Sequence, residues 1–291
     1  MTSILFDAPG PKTRGRHRLY TLATVVMLLA LAGLLVARLV EFDQFAYAKW
    51  EPFLTPSYIE AILVDGLLET LKMASLAIVF AVVFGLVFGV GKMSEHRWLR
   101  WPSWLIVEFF RAVPVLLLMI FIYFAYGVGD GFGSFWAVVF ALTLYNGSVL
   151  AEVFRAGVNA VPPGQAEAAY AIGMRKTQVM TIVLLPQAVK IMLPALISQL
   201  VVALKDTSLG AYVVAPGLTF VGGSIQDEFR ESRLQTWTVV AVIYIGVNLL
   251  LTALATWLQH RLVGEKSPLD TTAIPGMQST NTGGGAGGGI V

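Results

Sequence analysis

The chain contains no cysteine and few charged residues. Without cysteine, disulfides, thiolate zinc sites and cysteine nucleophiles are excluded. The three histidines, His17, His96 and His260, are far apart in sequence, which disfavours an imidazole metal cluster. Charged residues make up only 13% of the 291 residues, whereas a soluble domain has about a quarter. The net charge of +2 does not indicate a nucleic-acid partner, because the basic residues are scattered and not pooled on one face.

Long apolar runs are what the sequence has instead, and 56% of its residues are hydrophobic. A membrane helix needs about 20 mainly apolar residues. Six runs approach that requirement: residues 19–37, 73–91, 101–126, 132–153, a fifth that starts between 180 and 191 and passes 204, and 234–258. The sequence therefore predicts an all-α integral membrane protein with about six transmembrane helices, in contact with the lipid bilayer.

The start of the fifth helix is the open point of this prediction. Lys190 and Pro194 interrupt its apolar run. If the helix begins near residue 191, Lys205 and Asp206 lie deep in the membrane or towards its outer side. If it begins near residue 180, they lie at the outer interface.

Basic residues in short loops predict the orientation. They concentrate in the N-terminal segment, after the second run, after the fourth run and at the C-terminal end. Both termini and the loop between the fourth and fifth helices are therefore expected in the cytoplasm. Residues 1–18 are predicted to be a cytoplasmic segment, 19–40 an additional N-terminal transmembrane helix, and 268–291, which are rich in Thr, Ser and Gly, a disordered cytoplasmic tail.

Small residues recur every four positions in the second run. They are Ala77, Ala81, Gly85 and Gly89. This spacing places them on one helix face and predicts close approach of another helix. The alternative is that Ala and Gly are simply frequent in membrane helices.

The end of this run, residues 85–92, superficially resembles a phosphate-binding loop with the sequence GLVFGVGK. That motif requires four residues between its glycines and a Ser or Thr after the Lys. Gly85 and Gly91 are separated by five residues, and Met93 follows Lys92. No ATP site is therefore predicted in this chain, and any ATP energy must come from a partner.

The loop between the fourth and fifth runs is predicted to contain a short helix at the cytoplasmic surface. Pro162 and Pro163 suit a helix start, because proline lacks the amide hydrogen that is unpaired there. Residues 165–172 are mostly good helix formers, and Gly173 suits a left-handed C-terminal stop.

This loop resembles the EAA signature of bacterial ABC importer permeases. The signature consists of Glu-Ala-Ala, a Gly four positions later, about nine further residues, an apolar residue, a spacer and Leu-Pro. The matching residues are Glu167, Ala168, Ala169, Gly173, Val183, Leu185 and Pro186. Val183 replaces the usual Ile, and the whole EAA loop is placed at about residues 157–179.

Three further segments resemble permeases of the polar amino-acid family. They are 146–155, 205–209 and 110–114, the last with Ala-Val where the family commonly has Gly-Thr. The resemblance covers about residues 60–262, the predicted permease domain. The added N-terminal helix looks most like the larger glutamate permease subunits of actinobacteria.

The resemblance implies a type I, MetI-like permease fold in a bacterial cell membrane and import of a polar amino acid, with glutamate the expected substrate. It implies a dimer of ABC ATPases, an extracytoplasmic amino-acid-binding protein and a second permease subunit, identical or related. ATP and Mg²⁺ would bind the ATPase, and this chain would perform no covalent chemistry. Coupling to the ATPase is expected through Glu167, Ala168, Ala169, Gly173 and Pro186. Glu167 either caps its own helix or pairs with a basic residue of the ATPase, whereas without the resemblance a solvated surface carboxylate would be the preferred interpretation.

Charged residues inside the predicted spans are costly, so they pair or line a path. Glu108 and Arg111 are three apart and can meet on one helix face. They form either a structural ion pair or, through Arg111, a receptor for a substrate carboxylate. Glu152 and Arg155 have the same spacing near the cytoplasmic end of the fourth run, where a structural or interfacial pair is favoured.

Other polar residues are candidates for the substrate path. Lys205, Asp206, Thr207 and Ser208 offer donors and acceptors close together. They either line the path or only stabilise the outer end of their helix. Asn146 is a candidate for an interhelix hydrogen bond or, alternatively, for the path.

The segment 211–235 is either a surface for the binding protein or an ordinary connecting loop. Two rival functions differ in their requirements. An ion-coupled secondary transporter would need no ATPase-docking loop. A membrane-embedded enzyme would need a convergent nucleophile or metal cluster, and the sequence shows none.

Overall fold

The computed structural model describes residues 10–263. In this part of the chain there are twelve α-helical segments and no strands: α1 (Pro11–Glu41), α2 (Tyr47–Trp50), α3 (Pro56–Glu60), α4 (Glu69–Lys92), α5 (Arg97–Ala112), α6 (Val115–Ile122), α7 (Gly133–Asn159), α8 (Pro163–Ala171), α9 (Lys176–Gln178), α10 (Leu185–Asp206), α11 (Leu218–Glu228) and α12 (Arg233–Val263). π-helical or 3₁₀ turns join several of them, so that Pro56–Lys92 and Lys176–Val213 are continuous.

The helices account for the predicted spans. Within the described residues, five are long and apolar enough to cross a membrane, and a bent pair makes a sixth if it is counted as one span. The prediction of about six transmembrane helices is therefore confirmed. The predicted tail, 268–291, and the first nine residues lie outside the described residues, and the domain limits stay predictions.

The third predicted run is not one straight helix. α5 and the segment Val115–Gly127 meet at an angle of 100°. Pro114 cannot donate a helical hydrogen bond and disfavours helical geometry in the residue before it. Val113 accordingly has an extended backbone, with φ −80° and ψ 126°. We call this bend the elbow.

The fifth helix begins earlier than the sequence indicated, at Lys176 instead of between 180 and 191. A π-helical stretch, Val179–Leu184, carries the helix up to Pro186. Its wider turns continue the helix directly in front of a proline that cannot donate a hydrogen bond. At 1.5 Å per residue, Lys205 lies about 43 Å from the start, which favours the outer-interface alternative.

The stripe of small residues in α4 packs against α7, as predicted. All four residues of the stripe are buried. A Cβ at Gly85 would lie 2.8 Å from the Cβ of Leu150, and one at Gly89 would lie 3.1 Å from the carbonyl oxygen of Ala151. The two helices therefore touch backbone to backbone along this stripe.

The hydrophobic core surrounds α7. Its fully buried side chains include Leu142, Val138, Met119 and Met73. α1 differs, because none of its apolar window is buried. Just after α1, the carbonyl oxygen of Gln44 accepts hydrogen bonds from Gln235 at 2.6 Å and from Trp50 at 3.1 Å.

Candidate functional site

The short helix predicted in the loop between the fourth and fifth runs is present as α8. It ends in two hydrogen bonds: the amide of Gly173 donates to the carbonyl of Tyr170 at 2.9 Å, and that of Met174 donates to Ala169 at 3.2 Å. This pair of bonds is the Schellman arrangement, which needs a left-handed residue at its centre. Gly173 has φ +83°. The prediction of a short helix stopped at Gly173 is confirmed.

α8 exposes one side and buries the other. Ala169 is buried, whereas Glu167 and Ala168 are exposed. No side chain caps the start of α8, so Glu167 does not cap its own helix in the described structure. Tyr170 and Ile172 are 48% and 79% exposed. The exposed side of α8 therefore combines a carboxylate with apolar surface.

The segment after α8 anchors the loop to the rest of the bundle. Lys176 forms an ion pair with Glu95, in the turn that follows α4. The hydrogen bond from Lys176 lowers the pKa of the Glu95 carboxyl below its ordinary value. The side chain of Gln187 lies 3.5 Å from that of Gln165 and links α10 to α8. Pro186 is exposed one residue before Gln187.

Glu108 and Arg111 do meet, at 3.3 Å, but the pair is part of a larger group. The Nζ of Lys92 donates to Glu108 at 3.0 Å and also to Glu152. Glu152 in turn pairs with Arg155 at 2.8 Å. We call these five residues the Lys92 cluster. It joins α4, α5 and α7 and contains three cations and two carboxylates.

A cavity of about 530 Å³ lies beside the Lys92 cluster. Its lining comprises Lys92, Arg100, Trp101, Trp104, Glu108 and Arg155. The cavity has three basic side chains and one carboxylate. Glu152, which pairs with Lys92 and Arg155, offsets a further positive charge, so that one net positive charge is left to suit an anionic group.

Asn146 makes an interhelix hydrogen bond. Its Oδ1 accepts from Gln199 of α10 at 2.6 Å, and the residue is 2% exposed. The bond ties α7 to α10. The sequence interpretation of Asn146 as an interhelix contact agrees with this geometry.

The segment from Lys205 to Ser208 lies at the end of α10. Lys205 and Ser208 line a cavity of about 500 Å³, together with Tyr244 and Asn248 of α12. Thr207 is buried and donates to the carbonyl oxygen of Leu204 at 2.6 Å. Asp206 is half-buried.

The predicted path residues thus fall into separate places within the chain. Glu108 and Arg111 belong to the Lys92 cluster, whereas Lys205 and Ser208 line another cavity. Sequence reasoning missed Lys92 as the partner of Glu108 and Glu152, because a lysine at the end of a membrane helix has the ordinary appearance of an interfacial residue. The spacing between Lys92 and Glu108 carries no local signal of contact.

Comparison with known proteins identifies the family. The family of binding-protein-dependent transport system inner membrane components matches residues 81–264. The glutamate transport system permease protein GluD of Corynebacterium glutamicum is 45% identical over 219 residues, which are 74% of this chain and 80% of that relative.

Solved structures agree with this result. An amino acid ABC transporter crystallised with histidines matches with a TM-score of 0.64 and 31% identity, over 70% of this chain and 95% of that one. The inward-facing MetNI methionine ABC transporter matches with a TM-score of 0.59 and 25% identity, over 70% of this chain and 97% of that one. The predicted MetI-like fold is confirmed, and the comparisons give no support to an ion-coupled transporter.

The family match covers more than half of the chain, and the apolar helices fit a protein that crosses the bacterial inner membrane several times. The chain belongs to the binding-protein-dependent transport system inner membrane components, the non-enzymatic permease subunits of ABC importers.

Proposed function

We propose that this chain is the permease subunit of an ATP-driven importer of glutamate. The observation that supports this most directly is α8, a short helix with a defined end whose exposed side is available to a partner. Glutamate is proposed because of the similarity to GluD. The cationic cavity beside the Lys92 cluster suits an anionic substrate.

The complete transporter would contain this chain with a second permease subunit, identical or related. Two ATPases would bind ATP and Mg²⁺ and would dock against α8 from the cytoplasm. A binding protein would deliver glutamate on the other side, against the segment 211–235. Glu167, Ala168, Ala169, Gly173 and Pro186 would form the ATPase contact.

Different observations support the different residues of the proposed substrate path. Glu108 lines the cavity of about 530 Å³ and pairs with Arg111, and Lys205 and Ser208 line that of about 500 Å³. Asn146, Asp206 and Thr207 are proposed to support the path from within the bundle. Pairing of two permease subunits would place one path between them, and alternating access would open it first outwards and then inwards.

Two experiments test the function. A tagged chain should bring down an ATPase with phosphate-loop motifs, and a deletion strain should lose uptake of labelled glutamate. If the deletion abolished uptake of arginine or glutamine and left glutamate uptake intact, the glutamate assignment would be wrong.

A point variant tests whether α8 couples the chain to the ATPase. Gly173→Asp should leave the chain inserted in the membrane and abolish transport, because a charged side chain at the end of α8 opposes close approach of the ATPase. Normal transport by this variant would contradict a coupling role for α8.

A further inference from the structure

One side chain connects three helices in the Lys92 cluster. Glu108 pairs with Arg111 on its own helix, and Glu152 pairs with Arg155 on its own helix. Both ion pairs between helices in this cluster pass through Lys92, which reaches α5 through Glu108 and α7 through Glu152. The Lys92 side chain is 6% exposed, so the cluster holds a nearly buried cation at its centre.

The backbone around Lys92 leaves the helices little freedom to shift separately. A Cβ at Gly91 would collide with the side chain of Ser103 on α5. A Cβ at Gly89 would lie 3.1 Å from the carbonyl oxygen of Ala151 on α7. The end of α4 is therefore wedged between α5 and α7 at the level of the cluster.

The Lys92 cluster lies close in sequence to the start of α8 and to the elbow. Arg155 of the cluster precedes the end of α7 at Asn159, and α8 begins at Pro163. On the other side, Arg111 is next to the last residue of α5, and the elbow follows at Val113 and Pro114. The cluster thus bridges the helix that leads into α8 and the helix that ends at the elbow.

We propose that Lys92 is a positioning residue that transmits displacement of α8 to α5 and the elbow. A movement of α8 shifts the end of α7, and Glu152 pulls on Lys92. Lys92 then moves Glu108, because a nearly buried ammonium with two carboxylate partners resists loss of either partner. This inference rests on the proposed function, in which an ATPase moves α8.

The test uses the complete transporter, purified with its ATPase and reconstituted in proteoliposomes with its binding protein. The measured quantity is the amount of glutamate imported per ATP hydrolysed. Lys92→Met and Glu152→Gln should each lower this ratio about fivefold or more, the range of ordinary coupling between sites, while ATP hydrolysis continues. Glu152 does not line the cavity of about 530 Å³, so a loss in Lys92→Met without one in Glu152→Gln would assign the defect to the cavity and overturn the proposal. Lys92→Arg keeps the charge and should retain most of the ratio.

Lys72→Met is the matched control. Lys72 also lies on α4 and forms an ion pair, at 2.7 Å with Glu69, but its side chain is 51% exposed and the pair stays within one helix. Its removal should leave the ratio of import to hydrolysis unchanged. An equal loss in this control would overturn the specific role of Lys92.

A purely structural role of Lys92 predicts other results. The variant Lys92→Met/Glu108→Gln/Glu152→Gln removes both carboxylates together with Lys92, so that neither is left buried without its counter-charge. The proposal expects this variant to assemble and stay uncoupled, whereas normal coupling would overturn it. A normal ratio in Lys92→Met would also overturn it. Absence of glutamate import by the wild-type transporter would instead contradict the proposed substrate, so the two failures are distinguishable.

Discussion

At position 173, the backbone has φ +83°, a conformation that costs most L-residues about 1–2 kcal/mol. Among residues 10–263, a Cβ there would meet nothing within 4 Å. The requirement for glycine is therefore conformational within the chain itself. Any further restriction would come from a partner that approaches the end of α8.

Because the conformational requirement at position 173 belongs to this chain, it can be tested without a partner protein. Gly173→Val should open the end of α8, because a β-branched residue tolerates a positive φ poorly. Amide hydrogen exchange at Met174, whose amide bonds to Ala169, should accelerate about tenfold if the penalty is near 1.4 kcal/mol.

Two other variants complete the test at the end of α8. Gly173→Asn should change exchange much less, since Asn enters the left-handed region more readily. Gly164→Ala, in the same helix with open space and no positive φ, is the control and should leave Met174 unaffected. Equal exchange in the Val and Asn variants would contradict the conformational account.

The ion pair of Glu95 and Lys176 predicts a pH dependence. The pKa of the Glu95 carboxyl is lowered by the hydrogen bond from Lys176, so the folded state favours the ionised form. The stabilisation is present above the ordinary pKa of 4.5 and is lost as the pH falls through the lowered value. In detergent, wild type should therefore unfold at a higher temperature than Glu95→Gln near neutral pH, and the difference should disappear in acid.

Lys176, the partner of Glu95, provides the control for this prediction. Lys176→Met should remove the same increment and should have no further effect when Glu95 is already Gln. The difference should also shrink at high salt, because exposed charges are screened. A difference between wild type and Glu95→Gln that persists unchanged in acid would exclude the ion pair as its cause.

At the scale of helices, the contact between α4 and α7 depends on the absence of side chains. Gly85 lies against Leu150 and the backbone of Gly147, whereas a Cβ at Gly33 of α1 would meet nothing within 4 Å among the described residues. In that part of the chain, glycine therefore permits close packing in α4 and has no packing role at position 33 of α1.

Alanine substitutions should separate these cases. Gly85→Ala should destabilise the chain by about 1–3 kcal/mol, the usual cost of overpacking, and lower its unfolding temperature in detergent. Gly33→Ala should be neutral or slightly stabilising, since alanine has the higher helix propensity. Equal unfolding temperatures for Gly85→Ala and wild type would show that α4 and α7 can separate at no cost.

At the scale of the whole molecule, α1 stands apart from the bundle. None of its apolar window is buried, and the hydrogen bonds of Gln44 to Gln235 and Trp50 follow its end. The chain without residues 2–41 should therefore keep its folded core, with an unfolding temperature close to that of the full chain. Measurement of thermal unfolding in detergent checks this, and a large decrease would reveal contacts that α1 makes within the chain.

The sequence predicted the local features and, among the tertiary ones, the close packing of the α4 stripe, but it missed the elbow and the contacts of Lys92. The span count, the helix α8 and the stop at Gly173 follow from apolar length and backbone preference, which are local properties. The elbow was missed because the apolar run continues through Pro114, and hydropathy does not distinguish a straight helix from a bent one. The role of Lys92 was missed because two partners from other helices define it.

The elbow has a consequence for the lipid around the protein. The segment Val115–Gly127 is about 20 Å long at 1.5 Å per residue, whereas the hydrocarbon core of a bilayer is about 30 Å thick. Such hydrophobic mismatch is relieved by local thinning of the bilayer or by polar and aromatic flanking residues that reach the interface. The tryptophans of α5, Trp98, Trp101 and Trp104, are exposed and suited to that boundary. We therefore expect the thickness of the membrane to affect the angle of the elbow, at the end of the helix that Lys92 contacts through Glu108.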